Sequence, residues 1–548
     1  MQNTANRVVV VGSGAAALTA ALAAKEAGLA PLVIESTSLV GGSSAMSGGG
    51  MWIPNNALML KAGVPDTLAD ARTYIDTVIG DVGPASSPKR REAFLREGPH
   101  MVDWLTGLGF RFSYTPGYAD YYPEQPGGSV LGRSIEPDFF DLNVLGPWKD
   151  KLNIIMPIPL HTLDAAQVSL SMRTMSAFLH TANVIGIRTL GSLLMGKKLA
   201  GLGGALIGQL LHLALQRSIP IWVDSPMVEL MQTDGAVVGV VVTRDGKRQD
   251  VPASAVILAA GGFARNNAMR QQYHPHPITT DWTVATPGDL GDAIRAGMAV
   301  GGATALMDDA WWGPVFIDPK GKSQFMLWER SAPYGIIVDS SGRRFMNESA
   351  SYVDCGHWQF ERHQQVPAIP AFMIADSRHR KFYPFGMMLP GMTASEAYES
   401  GFMLKADSIA ELARACGLPP ENLEETVRRF NQFAATGKDL DFHRGDSAYD
   451  RVYSDPRVKP NPNLGEITQP PFFAVRVWPG DLGTKGGLLT DEHARVLRAD
   501  GDPIAGLYAA GNSSASVMGR TYPGPGSTLG PAMVFGMIAG RQAATVPA

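Results

Sequence analysis

The sequence predicts an α/β fold with α+β elements: a parallel-sheet domain assembled from both chain ends, interrupted by a second, inserted domain. Three observations carry that expectation. A strand, a glycine turn, a helix and a strand open the chain; an apolar strand ending on paired glycines follows near the middle; the strand-then-glycine theme returns close to the C-terminus. At 548 residues the chain exceeds what one core ordinarily holds, so two or more domains are expected.

The β-branched run Arg7–Val11 reads as the first strand, Gly12-Ser-Gly-Ala-Ala-Ala17 as the turn, Leu18–Gly28 as a helix and Pro31–Glu35 as the second strand. That βαβ unit has the length, about 30 residues, of a Rossmann-like nucleotide-binding start. A Gly/Ser loop spans 41–50. Met227–Arg248 alternates around Asp234-Gly235 and Asp245-Gly246, which predicts hairpins. Ala255–Gly262 reads as a buried parallel strand. Two amphipathic helices, Ser408–Gly417 and Glu421–Ala435, stand in a more irregular middle, and after Asp481 the pattern returns to strands and Ala-Gly-Asn512. The last turn, Tyr522-Pro-Gly-Pro-Gly526, precedes an apolar helix expected to start near Ser527. The division expected is therefore 1–275 with 483–548 as one domain and 276–482 as the other.

Composition excludes several classes. The formal charge is −4, so no basic field invites nucleic acid. Cys355 and Cys416 form neither a disulfide framework nor a metal pair, and the eleven histidines show no HExxH-type cluster, so no metal is expected. The cysteine pattern suits a reducing cytosol, and the early first strand leaves no leader, which points to a cytoplasmic protein.

Gly12-x-Gly14-x-x-Ala17, between a strand and a helix and with Glu35 ending the next strand, is a dinucleotide fingerprint. The glycines admit a pyrophosphate, the helix N-terminus favours it, and Glu35 accepts from ribose hydroxyls. The Gly/Ser loop directly after Glu35, and the late return of strand and glycine, favour FAD over NAD; the loop holds no His or Cys, so FAD is expected to be non-covalent. The cofactor set expected is Gly12, Ser13, Gly14, Ala15, Ala16, Glu35 and Ser36 in the first unit, and Gly42, Ser43, Ser44, Ser47, Gly48 and Gly49 in the loop. Val228, Ala260, Gly261, Gly511, Asn512, Ser527, Thr528 and Leu529 complete it.

Val184–Trp222 is apolar and glycine-rich, with five basic and no acidic residues. Arg188, Lys197 and Lys198 interrupt it, so no membrane-spanning run is expected. Two readings stand: a buried helical hairpin walling an apolar pocket, or that hairpin with a peripheral contact to the inner face of the cell membrane over 184–216. Its last part reads more like core than its first.

With these pieces the chain resembles, over nearly its whole length, the 3-ketosteroid Δ1-dehydrogenases of the fumarate reductase flavoprotein superfamily. The motifs are Gly12–Leu22, Ser47–Pro54, Asp120–Tyr122, Gly203–Gly208, Gly342–Tyr352, Asp481–Gly487 and Tyr522–Gly526. The resemblance implies 1,2-dehydrogenation of a 3-ketosteroid, with the C2 proton going to a tyrosine and the C1 hydride to flavin N5. It implies that the Tyr522 hydroxyl and the Gly526 N–H hold the C3 carbonyl, that Tyr352 takes the proton, that Tyr121 supports it and that Tyr118 joins the site. Ala17, at the third nucleotide-loop position, and the long apolar stretch depart from the family pattern. An external electron acceptor, a quinone being one candidate, is implied as a partner; the oligomeric state is left open.

Such chemistry needs donors aimed at the oxygen where charge develops and a base for the proton. A phenol titrates near about 10, so Tyr352 is expected to need Tyr121 to lower its pKa. Tyr122 reads as packing, Arg343 and Arg344 as exposed turn arginines, and Lys485 has no assigned role. Trp311, Trp312 and the methionines suit an apolar ring system. The competing functions are a Δ4-(5α) or other enone-forming flavin dehydrogenase, a fumarate-reductase-like enzyme with an Arg/His clamp, and a non-catalytic flavin-bearing steroid binder.

Overall fold

The computed structural model describes residues 6–154 and 158–545. β1 (Arg7–Val11), α1 (Ala15–Glu26) and β2 (Ala30–Ile34) form the expected βαβ unit. α1 opens three residues earlier than the apolar period implied, because Gly14 holds an extended N-cap and three alanines, strong helix formers, follow at once.

β1 lies inside a six-stranded sheet. The spatial order is Arg495–Leu497, Pro503–Ala509, Ala255–Leu258, β1, β2, Ile221–Trp222. All pairings are parallel except that of the outer Arg495–Leu497 strand. Val8, Val9 and Val10 are wholly buried, as a strand covered on both faces requires. The C-terminal helix, Leu529–Gln542, covers α1 at backbone contact. A Cβ on Gly536 would lie 2.4 Å from the Ala16 carbonyl oxygen, and one on Gly540 2.3 Å from that of Ala20. The small-residue run near the chain end is thus the seam that binds it to the beginning.

Met227–Thr233, Ala236–Arg244 and Lys247–Pro252 form a separate antiparallel sheet. Its two Asp-Gly turns have positive φ at both residues, the geometry that tight hairpins demand. A second six-stranded sheet is drawn from 310–484. Its order is Ser323–Phe325, Ala310–Ile317, Phe472–Thr484, Ala371–Ala375, Gly335–Val338, with Met403–Ala406 also on the long Phe472–Thr484 strand. Every pairing there is antiparallel. Helices Ile409–Cys416 and Pro420–Thr436 cover it through Leu412, Leu423 and Phe430. Helix Tyr352–His363 packs on Ala310–Ile317, where Gly356 admits the Trp312 side chain.

The apolar stretch divides. Helix Leu202–Gln216 is core: Leu206, Ile207, Leu210 and Leu211 have no exposed surface. The first part of the stretch, the helical turns to Leu194, instead presents Ile185, Ile187, Leu190 and Leu194 to solvent, Leu194 at 89%, and helix Met175–Ala182, just before the stretch, adds Met175 and Phe178. Among the described residues no helix is long and apolar enough to cross a membrane.

Two expectations are corrected here. Arg344 is not an exposed turn residue: it is buried, paired with Glu348 at 2.7 Å and Asp439 at 2.8 Å. Trp312 packs among Phe360, His274 and Val315 in the interior instead of lining an open site. In both cases a partner distant in sequence supplies the burial.

Candidate active site

One cavity is lined on one side by residues just past the C-terminal ends of β1, β2 and Ala255–Leu258, and on the other by Phe325, Leu327, Tyr352 and Leu482. The first side is where open α/β sheets bind ligands. Of the expected cofactor residues, those from Gly12 to Gly49 all line it, as do Ala260, Gly261, Gly511, Asn512, Thr528 and Leu529. Two do not. Val228 points outward from its strand at 41% exposure, and the preceding Met227 lines the cavity in its place, since neighbouring strand residues face opposite ways. Ser527 is wholly buried and closes the last turn, its Oγ accepting from Gly524 N–H at 3.0 Å and donating to Gly524 O at 2.7 Å.

The cofactor end is organised around Glu35. Its carboxylate accepts from Ser13 Oγ at 2.6 Å, Thr37 N–H at 2.9 Å and Thr37 Oγ1 at 3.0 Å. Ser13 Oγ also accepts from Gly41 N–H at 3.0 Å, tying the fingerprint turn to the Gly/Ser loop. Ser43 Oγ donates to Asp289 at 3.1 Å and accepts from Thr286 N–H at 3.0 Å. Burial raises the Asp289 carboxyl to about 7, against the hydrogen bond from Ser43. At Gly42 and Gly48, both on the lining, an added Cβ would meet no protein atom within 4 Å. The floor is therefore open backbone, placed before the positive end of α1. This donor and acceptor set fits a dinucleotide with a pyrophosphate and a hydroxyl-bearing ribose.

Sequence reasoning missed Thr37, Thr286, Asp289 and the apolar wall of Phe325, Leu327 and Leu482. Gly261 was the only local hint of Asp289: a Cβ there would sit 2.2 Å from the Asp289 carboxylate. Thr37 follows directly on the expected Ser36 and Leu482 lies in the Asp481–Gly487 motif, whereas Thr286, Phe325 and Leu327 arrive from segments distant in sequence.

Tyr118, Tyr121, Tyr352, Tyr522 and Gly526 line the other end. All four rings are buried, at 3–5% exposure. Tyr522 stacks on Tyr121 with ring centres 5.1 Å apart and meets Tyr352 edge-on at 4.9 Å; Tyr121 meets Tyr352 edge-on at 5.4 Å. Tyr449 backs Tyr121 at 4.1 Å. The Tyr118 and Tyr453 hydroxyls hydrogen-bond at 2.9 Å. Tyr122 faces away, donating to Asp354 at 3.0 Å.

The turn carrying Tyr522 is clamped carbonyl by carbonyl. Pro523 O accepts from Tyr121 N–H at 2.9 Å and from Tyr74 Oη at 2.5 Å, Pro525 O from Ser134 Oγ at 2.5 Å, and Gly526 O from Trp52 N–H at 3.2 Å. Gly526 has φ +96, and a Cβ there would lie 2.4 Å from the Gly50 backbone, so no other residue fits. Asp120, next to Tyr121, accepts from Trp52 Nε1 at 2.7 Å and Arg133 at 2.5 Å.

Burial pushes the Tyr522 phenol up, while hydrogen bonding from Thr528, Tyr352 and the Gly526 N–H pulls it down. The Gly526 N–H and the Tyr522 hydroxyl thus lie close together at one end of the cavity. Tyr352 departs from expectation. Hydrogen bonding from Tyr121 does lower its pKa, but burial among aromatic rings dominates and holds it well above the usual phenol value. Tyr121 and Tyr118 are likewise raised, burial first.

Residues 7–529 match the family described as FAD binding domain. The chain is 46% identical to the 3-oxosteroid 1-dehydrogenase of Mycobacterium tuberculosis, over 97% of each chain. It is 45% identical to the 3-oxosteroid 1-dehydrogenase of Mycolicibacterium smegmatis, over 99% of this chain and 97% of that one. The 3-ketosteroid delta1-dehydrogenase from Sterolibacterium denitrificans, solved in complex with 1,4-androstadiene-3,17-dione, superposes with a TM-score of 0.93 at 37% identity, covering 99% of this chain and all of that one.

Proposed function

Because this chain belongs to the FAD-dependent 3-ketosteroid Δ1-dehydrogenases, we propose that it desaturates the C1–C2 bond of a 3-oxo-4-ene steroid to the 1,4-diene-3-one. The observation that carries the reading is the convergence of three buried phenols and the Gly526 N–H on one end of a cavity whose other end fits a dinucleotide. FAD, when bound, supplies the acceptor for the hydride that leaves C1. The glycine floor, Glu35 and the α1 N-terminus would hold it non-covalently.

In this reading the Tyr522 hydroxyl and the Gly526 N–H hold the C3 carbonyl oxygen and stabilise the charge that grows there as C2 loses its proton. Tyr352 takes that proton. Tyr121 donates toward Tyr352 and so favours the ionised form. Tyr118, tied to Tyr453, closes the wall. Packed rings on the tyrosine side exclude water and clamp the steroid A ring, a positioning task. Among the described residues lining the cavity there is no arginine, lysine or histidine, so a clamp for a small dicarboxylate has no donors there. Anaerobic mixing with androst-4-ene-3,17-dione tests the reaction: the flavin's visible band bleaches and 1,4-androstadiene-3,17-dione forms. Desaturation at another ring position, or no bleaching, refutes it.

The proposed division of labour assigns 1–275 and 483–548 to FAD binding and 276–482 to catalysis. Support comes from the first sheet, whose strands come from both chain ends, and the second, drawn from one continuous stretch. A second reading concerns location: a cytoplasmic protein resting on the inner membrane face through the first part of 184–216 and the exposed helix just before it. Its support is the exposed apolar face of Met175, Phe178, Ile187 and Leu194 together with the nearby Lys197 and Lys198. A membrane quinone is then the electron acceptor to try first. Flotation with anionic lipid vesicles tests the contact; protein that stays entirely at the bottom of the gradient at low salt refutes it.

A further inference from the structure

Lys485 lies in the Gly-Thr-Lys-Gly-Gly stretch, has no part in the chemistry above and is completely buried. Its Nζ donates to the carbonyl of Thr521, the residue before Tyr522, at 3.1 Å. The same ammonium stands 4.8 Å from the centre of the Trp311 ring. Trp311 in turn meets the Tyr522 ring edge-on at 5.4 Å, and its Nε1 donates to Asn512 on the cavity lining at 3.2 Å. Lys485 therefore reaches Tyr522 by two routes, one through the backbone and one through an indole.

The counter-charge reaches the second tyrosine. Asp309, 1% exposed, lies 3.5 Å from Lys485 Nζ and 2.8 Å from Nε2 of His357. His357 sits on the helix that begins at Tyr352. Arg520, two residues before Tyr522, is 4.0 Å from Asp309 and 2.9 Å from Asp308. Burial works against the Asp309 carboxylate, but Lys485 and then His357 outweigh it and hold its pKa at about 2. Burial lowers the Lys485 ammonium to about 8 against the pull of Asp309. A buried ion pair is a poor way to gain stability, since apolar side chains of similar volume usually do as well or better. What this pair supplies that an apolar pair could not is a directed donor behind the Tyr522 turn and a charge under Trp311.

We propose that Lys485 is a positioning residue for the Δ1-dehydrogenation, holding the Tyr522 hydroxyl in place through Thr521 and Trp311. The proposal rests on the carbonyl-binding role given to Tyr522 above. The test is a double-mutant cycle on the holoenzyme with Lys485→Met and Tyr522→Phe, reading kcat, KM and flavin content. Lys485→Met is expected to lower kcat by up to about 10²-fold, the scale of a misplaced reacting group, with KM and flavin content nearly unchanged. In the Tyr522→Phe background the same change is expected to cost less than about twofold, because the group it positions is gone. A purely structural lysine would give equal losses in both backgrounds, and that result, or an unchanged kcat in the single variant, overturns the proposal. If Met at 485 costs the flavin, Trp311→Phe enters the same cycle with the same expectation and the same overturning result. Tyr522→Phe is also measured alone: if it keeps wild-type turnover, the reading of Tyr522 fails, and the role of Lys485 falls with it.

Discussion

Replacing Tyr522 by phenylalanine isolates one oxygen atom. The Phe ring keeps the stack on Tyr121 at 5.1 Å and the edge contacts with Tyr352 and Trp311 at 4.9 and 5.4 Å. The hydroxyl's hydrogen bonds with Thr528 Oγ1, which at 3.5 Å is long, and with Tyr352 and the Gly526 N–H are lost, so the stability change should be about 1–2 kcal/mol. Catalysis is affected far more. On the proposed reading Tyr522 supplies one of two donors, so the developing enolate would keep the other alone. Removing one such donor typically lowers kcat by about 10²–10³, or about 2.7–4 kcal/mol of transition-state stabilisation. Binding of the flat steroid depends mainly on apolar contacts, so KM should move far less than kcat. Single-turnover flavin bleaching under anaerobic conditions reads the chemical step directly, and the flavin-to-protein ratio checks that the site is intact. A bleaching rate within about fivefold of the wild type would refute the two-donor geometry.

Other outcomes follow from the same structure. Tyr352 works as a base only when ionised, and burial holds its pKa above the ordinary phenol value, so the chemical rate should climb with pH between about 7 and 10 without a plateau; a flat profile rules the phenolate out. Tyr121→Phe removes the hydroxyl that lowers the Tyr352 pKa, and the climb should move to higher pH. Gly48→Ala places a Cβ where no other protein atom lies within 4 Å, so the chain should fold with its melting temperature intact while bound flavin falls; full flavin occupancy would show that the cofactor does not cross that floor. Asp481 and Arg270 are a wholly buried pair at 2.6 Å, and two further nitrogens of Arg270 have no hydrogen-bond partner. Asp481→Ala should therefore cost about 3–5 kcal/mol in denaturant unfolding, and a loss under about 1 kcal/mol would contradict the burial argument.

Much of this molecule was legible as sequence because the signals are local. A β-branched run, a glycine turn and an alanine-rich helix encode β1 and α1 within about 20 residues of chain, and the hairpins announce themselves through two Asp-Gly turns. The Tyr522 turn was legible for the same reason: glycines and prolines at that density restrict the backbone whatever surrounds them. Even the split of the apolar stretch into a buried later half and an exposed earlier one was anticipated by its composition.

The tertiary structure decided whatever depends on which distant groups share a space. Val228 and Met227 are both apolar, and only the register in which their strand pairs chooses which one faces the cavity. Arg344 looked like a surface residue until Asp439, nearly a hundred positions away, came to meet it. Thr286, Phe325 and Leu327 carry no local mark of the site they line. The pKa of Tyr352 was misjudged for the same reason: its hydrogen-bond partner is implied by the resemblance, but the burial that outweighs it comes with the rings of Tyr121, Phe325 and Tyr522, gathered from three parts of the chain. Backbone preference is written along the chain, whereas burial and charge pairing are properties of the packed interior.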